Sequence, residues 1–124
     1  MHRPNVPILA ATLISSLFAV MAPSAAHAAV HDGDWSVLVV TEKGNCDRGF
    51  RYDVKVSDGQ VRYSGQAAVA MNGTVTPSGA VKVVISTNGK GTASGRLTAN
   101  GGSGTWSGAG NGNECAGRWE AERR

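Results

Sequence analysis

Trp35, Trp106, Trp119, Tyr52 and Tyr63 are the side chains of this sequence best suited to binding. Each joins a broad apolar face to one N–H or O–H at its edge. With Phe50 they could line a pocket for a small apolar or sugar-like ligand. They could also simply fill a small core, and a domain of this size needs their buried area. Size favours core packing; pocket lining is the alternative.

Bond-making chemistry is poorly supplied. Beyond residue 28 the one histidine is His31. It lies near an expected chain start, where residues are commonly poorly ordered, whereas a Ser-His-Asp arrangement needs its imidazole held against the serine. Zinc, copper or haem would need more ligands than His31 and Met71 offer. Among the carboxylates, Asp58 and Glu114 fall at a turn and a strand start, while Asp53 and Glu120 fall on a wet face. Glycoside hydrolysis needs a pair about 5–9 Å apart across a cleft, and no spacing here implies one. No glycine cluster leads into a helix bearing Lys-Ser/Thr, so a phosphate cradle is missing. The expectation is a protein that is not an enzyme and carries no metal or cofactor.

The elements that must position the aromatics are strands. In DWSVLVVTEK, Trp35, Val37 and Val39 share one face, with Ser36, Leu38 and Val40 on the other. In CDRGFRYDVKV, Phe50, Tyr52, Val54 and Val56 alternate with Arg51, Asp53 and Lys55. Such alternation sets one side against a core and the other against water. Asp58-Gly59 is a hairpin turn, because both central residues of a type I′ turn need positive φ. Val61 and Tyr63 return on the inner face. Pro77-Ser78-Gly79, Asn88-Gly89, Asn100-Gly101-Gly102 and the run 110–113 mark further turns. Strands are expected at 35–42, 48–57, 60–65, 67–75, 80–87, 91–99, 103–108 and 114–121.

The recurring SGAV, SGRL, SGTW and AGRW put a glycine two positions before a larger residue. Missing Cβ atoms permit close approach of a strand or an indole ring, and the sharp bends of a small closed sheet. Short connections make consecutive strands antiparallel neighbours. About eight of them can close into a barrel and so remove both sheet edges. The expected fold is all-β, an antiparallel meander barrel with one disulfide, with a two-sheet β-sandwich as the alternative. Its outer face carries Arg51, Asp53, Lys55, Arg62, Arg118 and Glu120, unlike the lipid-facing strands of an outer-membrane barrel.

His2 and Arg3, an apolar run from Ile8 to Ala22, and Ala26-His27-Ala28 have the three parts of a secretory signal peptide. Cleavage after Ala28 would leave 29–124 as one domain of 96 residues, with no membrane span. The expected location is periplasmic or secreted. Such compartments permit disulfides, and Cys46 and Cys115 allow a single intramolecular pairing. Removing Arg3 from the 12 Lys and Arg leaves 11 against 9 Asp and Glu. The basic residues are scattered rather than gathered into a stripe, which argues against nucleic acid as a partner.

GDW opening the first strand, the hairpin meander and the early-late cysteine pair resemble small calycin-like secreted β-barrels. More closely, DGDWSVLVVTEKGNCDRGFRYDV with the ending GTWSG…CAGRWEAERR looks like a set of small exported alphaproteobacterial proteins without an established activity. The resemblance implies the fold and carries over no catalytic residue. The chain is shorter than an ordinary lipocalin, so a large cavity is not expected. The functional expectation is an exported, non-catalytic binding module for a small ligand or a protein. The alternative is a protein-interaction or protease-inhibitor role, using the terminal segment Ala29 to Gly33 or the apolar strip Ser36, Leu38 and Val40.

Overall fold

Alternation and turn chemistry produce eight strands in the computed structural model, which describes residues 4, 5, 7, 10–19 and 29–124. The expected cleavage after Ala28 falls outside the described residues. The strands are β1 (Gly33–Lys43), β2 (Gly49–Ser57), β3 (Gln60–Tyr63), β4 (Met71–Val75), β5 (Ala80–Ile85), β6 (Lys90–Leu97), β7 (Gly101–Gly110) and β8 (Asn113–Arg123). Each pairs antiparallel with the next, and β1 returns to β8. The sheet is therefore one closed meander barrel, consistent with a calycin-like architecture, and the sandwich alternative falls away. Two hairpins show their cause directly. Asp58 and Gly59 sit at φ 51° and 74°, and Asn111 and Gly112 at 52° and 80°, both left-handed as a type I′ turn demands.

The expected alternation holds around the barrel. Val54, Val56, Val61, Val75, Val81, Leu97, Ala121, Trp35 and Trp119 form the buried core. Arg51, Asp53, Lys55, Arg62 and Arg118 are exposed. Leu38 and Val40, on the outer face, are half-buried between Arg51 and Gly49 of β2 and Glu120 and Arg118 of β8.

The expected strands β3, β4 and β5 are shortened, β4 the most. β3 ends at Tyr63, and residues 67–70, read as strand from the sequence, lie in a loop. Ala67-Ala68 offers no β-branched side chain to pack on a pleat, and side chains take over the backbone groups. Ala67 N–H donates to the Tyr63 hydroxyl at 3.2 Å and Ala70 N–H to the Thr87 hydroxyl at 2.8 Å. As a result β3 and β4 pair only through Gln60↔Thr74 and Val61↔Gly73. Arg62 Nη1 donates to Asn72 Oδ1 across this seam at 2.7 Å.

The chain before β1 also departs from expectation. Ala29–His31 forms a 3-10 turn that closes one end of the barrel, and His31 is 4% exposed. Trp35 Nε1 donates to His31 O at 3.0 Å. Arg123, from the far end of the chain, donates to Asp32 O at 2.6 Å and Val30 O at 2.8 Å. Its guanidinium lies 4.6 Å from the Trp35 ring centroid, a cation–π contact. A buried carbonyl acceptor and a two-handed arginine outweigh the usual fraying of a terminus.

At the opposite end, Cys46 in the β1–β2 loop is bonded to Cys115 in β8. Tying residues 69 apart restricts the unfolded chain and stabilises the fold by about 4 kcal/mol in the chain-entropy view. Among the described residues no helix is long and apolar enough to cross a membrane.

Candidate functional site

The barrel holds open space beside its packed core. A cavity of about 440 Å³ runs from Trp35, at the closed end, to a mouth edged by Asp47, Phe50, Asn88, Lys90 and Asn111. The size lies within the range of small-molecule sites. Core packing, which size favoured, holds in part: Trp35 and Trp119 belong to the buried core and Trp106 packs against it. The remaining space is larger than expected, and the reason lies in how the indoles are placed.

The tryptophan rings do not point at the barrel axis; they lie along the wall. Trp106 on β7 faces Gly117 of β8 in register and reaches past it to β1, where its Nε1 donates to Val40 O at 2.9 Å. Trp119 on β8 faces Gly104 of β7 and reaches past it to β6, where its Nε1 donates to Ser94 O at 3.1 Å. Each ring thus crosses the other's strand, and the two point in opposite directions. Glycine makes both crossings possible. A Cβ on Gly104 would stand 2.6 Å from Trp119 Nε1, one on Gly95 would stand 2.6 Å from Trp119 Cζ2, and one on Gly117 would stand 3.0 Å from Trp106 Nε1. Real Cβ atoms do not approach so closely without displacement. Each indole N–H is satisfied by the wall, so the cavity sees ring faces and little polarity.

Of the side chains expected to bind, Trp35, Tyr52, Trp106 and Trp119 all line the cavity, and Tyr63 does not. Trp35 forms the floor, 1% exposed. Tyr63 meets Tyr52 edge-on, centroids 6.1 Å apart, and holds the 64–70 loop through its hydroxyl. Phe50 lies 4.7 Å from Tyr52 in the other direction and is 44% exposed at the mouth. The valines Val37, Val39, Val54 and Val83, with Met71 and Ile85, supply the rest of an apolar lining.

Asp47 was not visible as a site residue in the sequence. Its neighbour Cys46 is the available signal, since the disulfide holds this loop at the mouth. The loop is further fixed by Thr41, whose hydroxyl donates to Asp47 O at 2.6 Å. Burial raises the Tyr52 phenol above its ordinary value, and the neighbouring Tyr63 and the Asp47 carboxylate push the same way. The neutral phenol is therefore the favoured form of this cavity-lining residue.

The carboxylates do not gather into a reaction centre. Asp53 is paired with Arg124 at 2.7 Å on the outer surface, and Glu120 and Glu114 are exposed. Among the described residues no group of three or more His, Cys, Asp or Glu could hold a metal ion. In comparison with known proteins, no family model, no curated protein and no solved structure matches this chain.

Proposed function

We propose that this protein is an exported, non-catalytic binding module that holds a small, largely apolar ligand inside its barrel. The observation that carries the reading is the hollow, aromatic-walled interior, open at one end and about 440 Å³ in volume. A chain of this length gains stability by filling its core. Here glycines on β6, β7 and β8 keep the centre clear and tryptophans cover the wall. Export is supported by the Cys46–Cys115 bond, by the leader-like start of the sequence, and by the exposure of Leu13, Ile14, Leu17 and Phe18, side chains suited to a segment that is removed. The resemblance to small exported alphaproteobacterial proteins agrees with that destination. The inhibitor-like alternative has less support, because Ala29–His31 is folded under the barrel and gripped by Arg123 rather than projecting.

The test is a tryptophan-fluorescence and thermal-shift screen of sugars, lipids and cell-envelope fragments, run on the wild type and on Val83→Phe. Val83 is half-buried and lines the cavity, so phenylalanine there occupies ligand space. Apolar compounds should raise the melting temperature and alter the emission of the wild type, and Val83→Phe should lose both responses. Silence across the panel, or an unchanged response in Val83→Phe, would contradict a ligand inside the barrel.

A further inference from the structure

Every ligand-facing surface below the mouth is uncharged, so the head of a bound molecule is decided where the cavity meets water. Two charged residues edge that mouth, Asp47 and Lys90. They are not equivalent. Lys90 opens β6, in which Gly91, Ala93, Gly95 and Leu97 take the inner positions and Lys90, Thr92 and Ser94 the exposed ones. Its partner across the ladder, Ala109, is likewise exposed. The Lys90 side chain therefore leaves the barrel, and only its backbone edges the opening.

Asp47 lines the mouth from the β1–β2 loop, where the Thr41 hydroxyl holds its backbone carbonyl at 2.6 Å. Its carboxylate is near enough to the inward-facing Tyr52 phenol to oppose its ionisation. No ion pair among the described residues engages it; those found join Arg118 to Glu42 and Arg124 to Asp53. Beside it stand the rings of Phe50 and Tyr52, with centroids 4.7 Å apart. Ring faces and an unpaired carboxylate attract the same partner, since both favour positive charge and neither favours negative.

We propose that the cavity takes a lipophilic organic cation, its apolar body in the barrel and its ammonium or comparable group at the mouth beside Asp47, Phe50 and Tyr52. This rests on the reading of the barrel as a binding module and names the class of ligand that module selects. A quaternary ammonium suits the mouth best, because it carries charge without needing hydrogen-bond acceptors that the rings do not have.

The experiment is a calorimetric and fluorescence titration with three single-chain probes of equal length, each below its micelle concentration: decyltrimethylammonium, decanol and decanoate. The cation should bind about tenfold tighter than the alcohol, as a partly desolvated cation–π contact with a carboxylate neighbour implies, and the carboxylate should bind weakest. Asp47→Asn should shrink the gap between cation and alcohol while leaving alcohol binding intact, which also shows that the variant folds. Lys90→Ala should leave the order unchanged. Equal affinity for cation and alcohol, or tighter binding of decanoate, would overturn the cation assignment and leave the binding module standing. Binding of none of the three would overturn both. If Asp47→Asn fails to fold, the wild-type ranking still decides.

Discussion

The two sides of this barrel are built on different principles. On the β6–β7–β8–β1 side the strands pair over long, continuous stretches: Gly101 to Gly110 runs the whole way along Asn113 to Glu122. The inner surface there is glycine overlaid by indole. On the β2–β3–β4 side the ladder shrinks to Gln60↔Thr74 and Val61↔Gly73. Val54, Val56, Val61 and Val75 fill the inside there in the ordinary way, and a loop tied by a few isolated side-chain and backbone bonds completes the wall. The first side obtains its rigidity from backbone pairing and flat rings, and so leaves space at the centre. The second obtains cohesion from side chains that occupy space. A hollow barrel of this length depends on having enough of the first kind of wall.

The largest expected effect comes from releasing the staple of the stiff side. The double variant Cys46→Ser, Cys115→Ser should lose about 4 kcal/mol, read from urea unfolding with the slope fitted for each protein, since the unbridged unfolded chain is more expanded. Next is the glycine wall itself. In Gly104→Val the side chain meets Ser94 O and the Trp119 ring, and a loss of about 3 kcal/mol is expected, together with a change in tryptophan emission. Gly91→Ala is the control on the same inner face. Its nearest neighbour would be Ser107 O at 3.5 Å, an ordinary contact, so its midpoint should move by less than about 1 kcal/mol. Equal costs for the two would break the comparison, since the glycines would then have no specific relation to the rings.

The weak side should respond differently. Arg62→Ala removes the bridge to Asn72 and should cost at most about 1 kcal/mol globally, as exposed polar pairs do. Amide exchange at Val61 and its ladder partner Gly73 should nonetheless quicken more than exchange in β7 or β8, because local opening follows the thinnest ladder. The smallest effect is at alkaline pH. Burial, Tyr63 and Asp47 raise the Tyr52 phenol in the fold, so the unfolded chain ionises first. The stability concerned is intact below about pH 10, the unperturbed tyrosine value, and is lost as pH rises through the higher folded value. Tyr52→Phe should flatten this decline in a urea series from pH 9 to about 11.

Much of the frame was legible in the residues. Strict alternation in Phe50–Val56 and the left-handed pairs Asp58-Gly59 and Asn111-Gly112 placed strands and hairpins, because each depends only on near neighbours in the chain. Eight strands and the single cysteine pairing then pointed to the closed sheet. The cavity was harder to see. That Trp106 and Trp119 face inward follows from alternation, but that they lie flat depends on Gly117 and Gly104 standing opposite in register, a fact of strand pairing rather than of local sequence. The signal existed in GGSGTWSGAG, where Gly102, Gly104 and Gly108 take the inner positions around Trp106. Residues 67–70 misled for the opposite reason: the N–H groups of Ala67 and Ala70 go to the side chains of Tyr63 and Thr87, partners that no pattern of alternation announces.

The central claim is that flat indoles leave open space between the packed core and the mouth of the barrel, and xenon tests it most directly because an empty apolar space admits the gas without any chosen ligand. The measurement is a proton–nitrogen correlation spectrum of residues 29–124 under increasing xenon pressure. The account predicts saturable shifts at the Trp106 and Trp119 indole N–H signals and at the amides of Val39, Val83 and Ala93, with the signals of the exposed Asp58-Gly59 turn unmoved. Spectra that stay fixed across the pressure range would mean a filled interior and would contradict it.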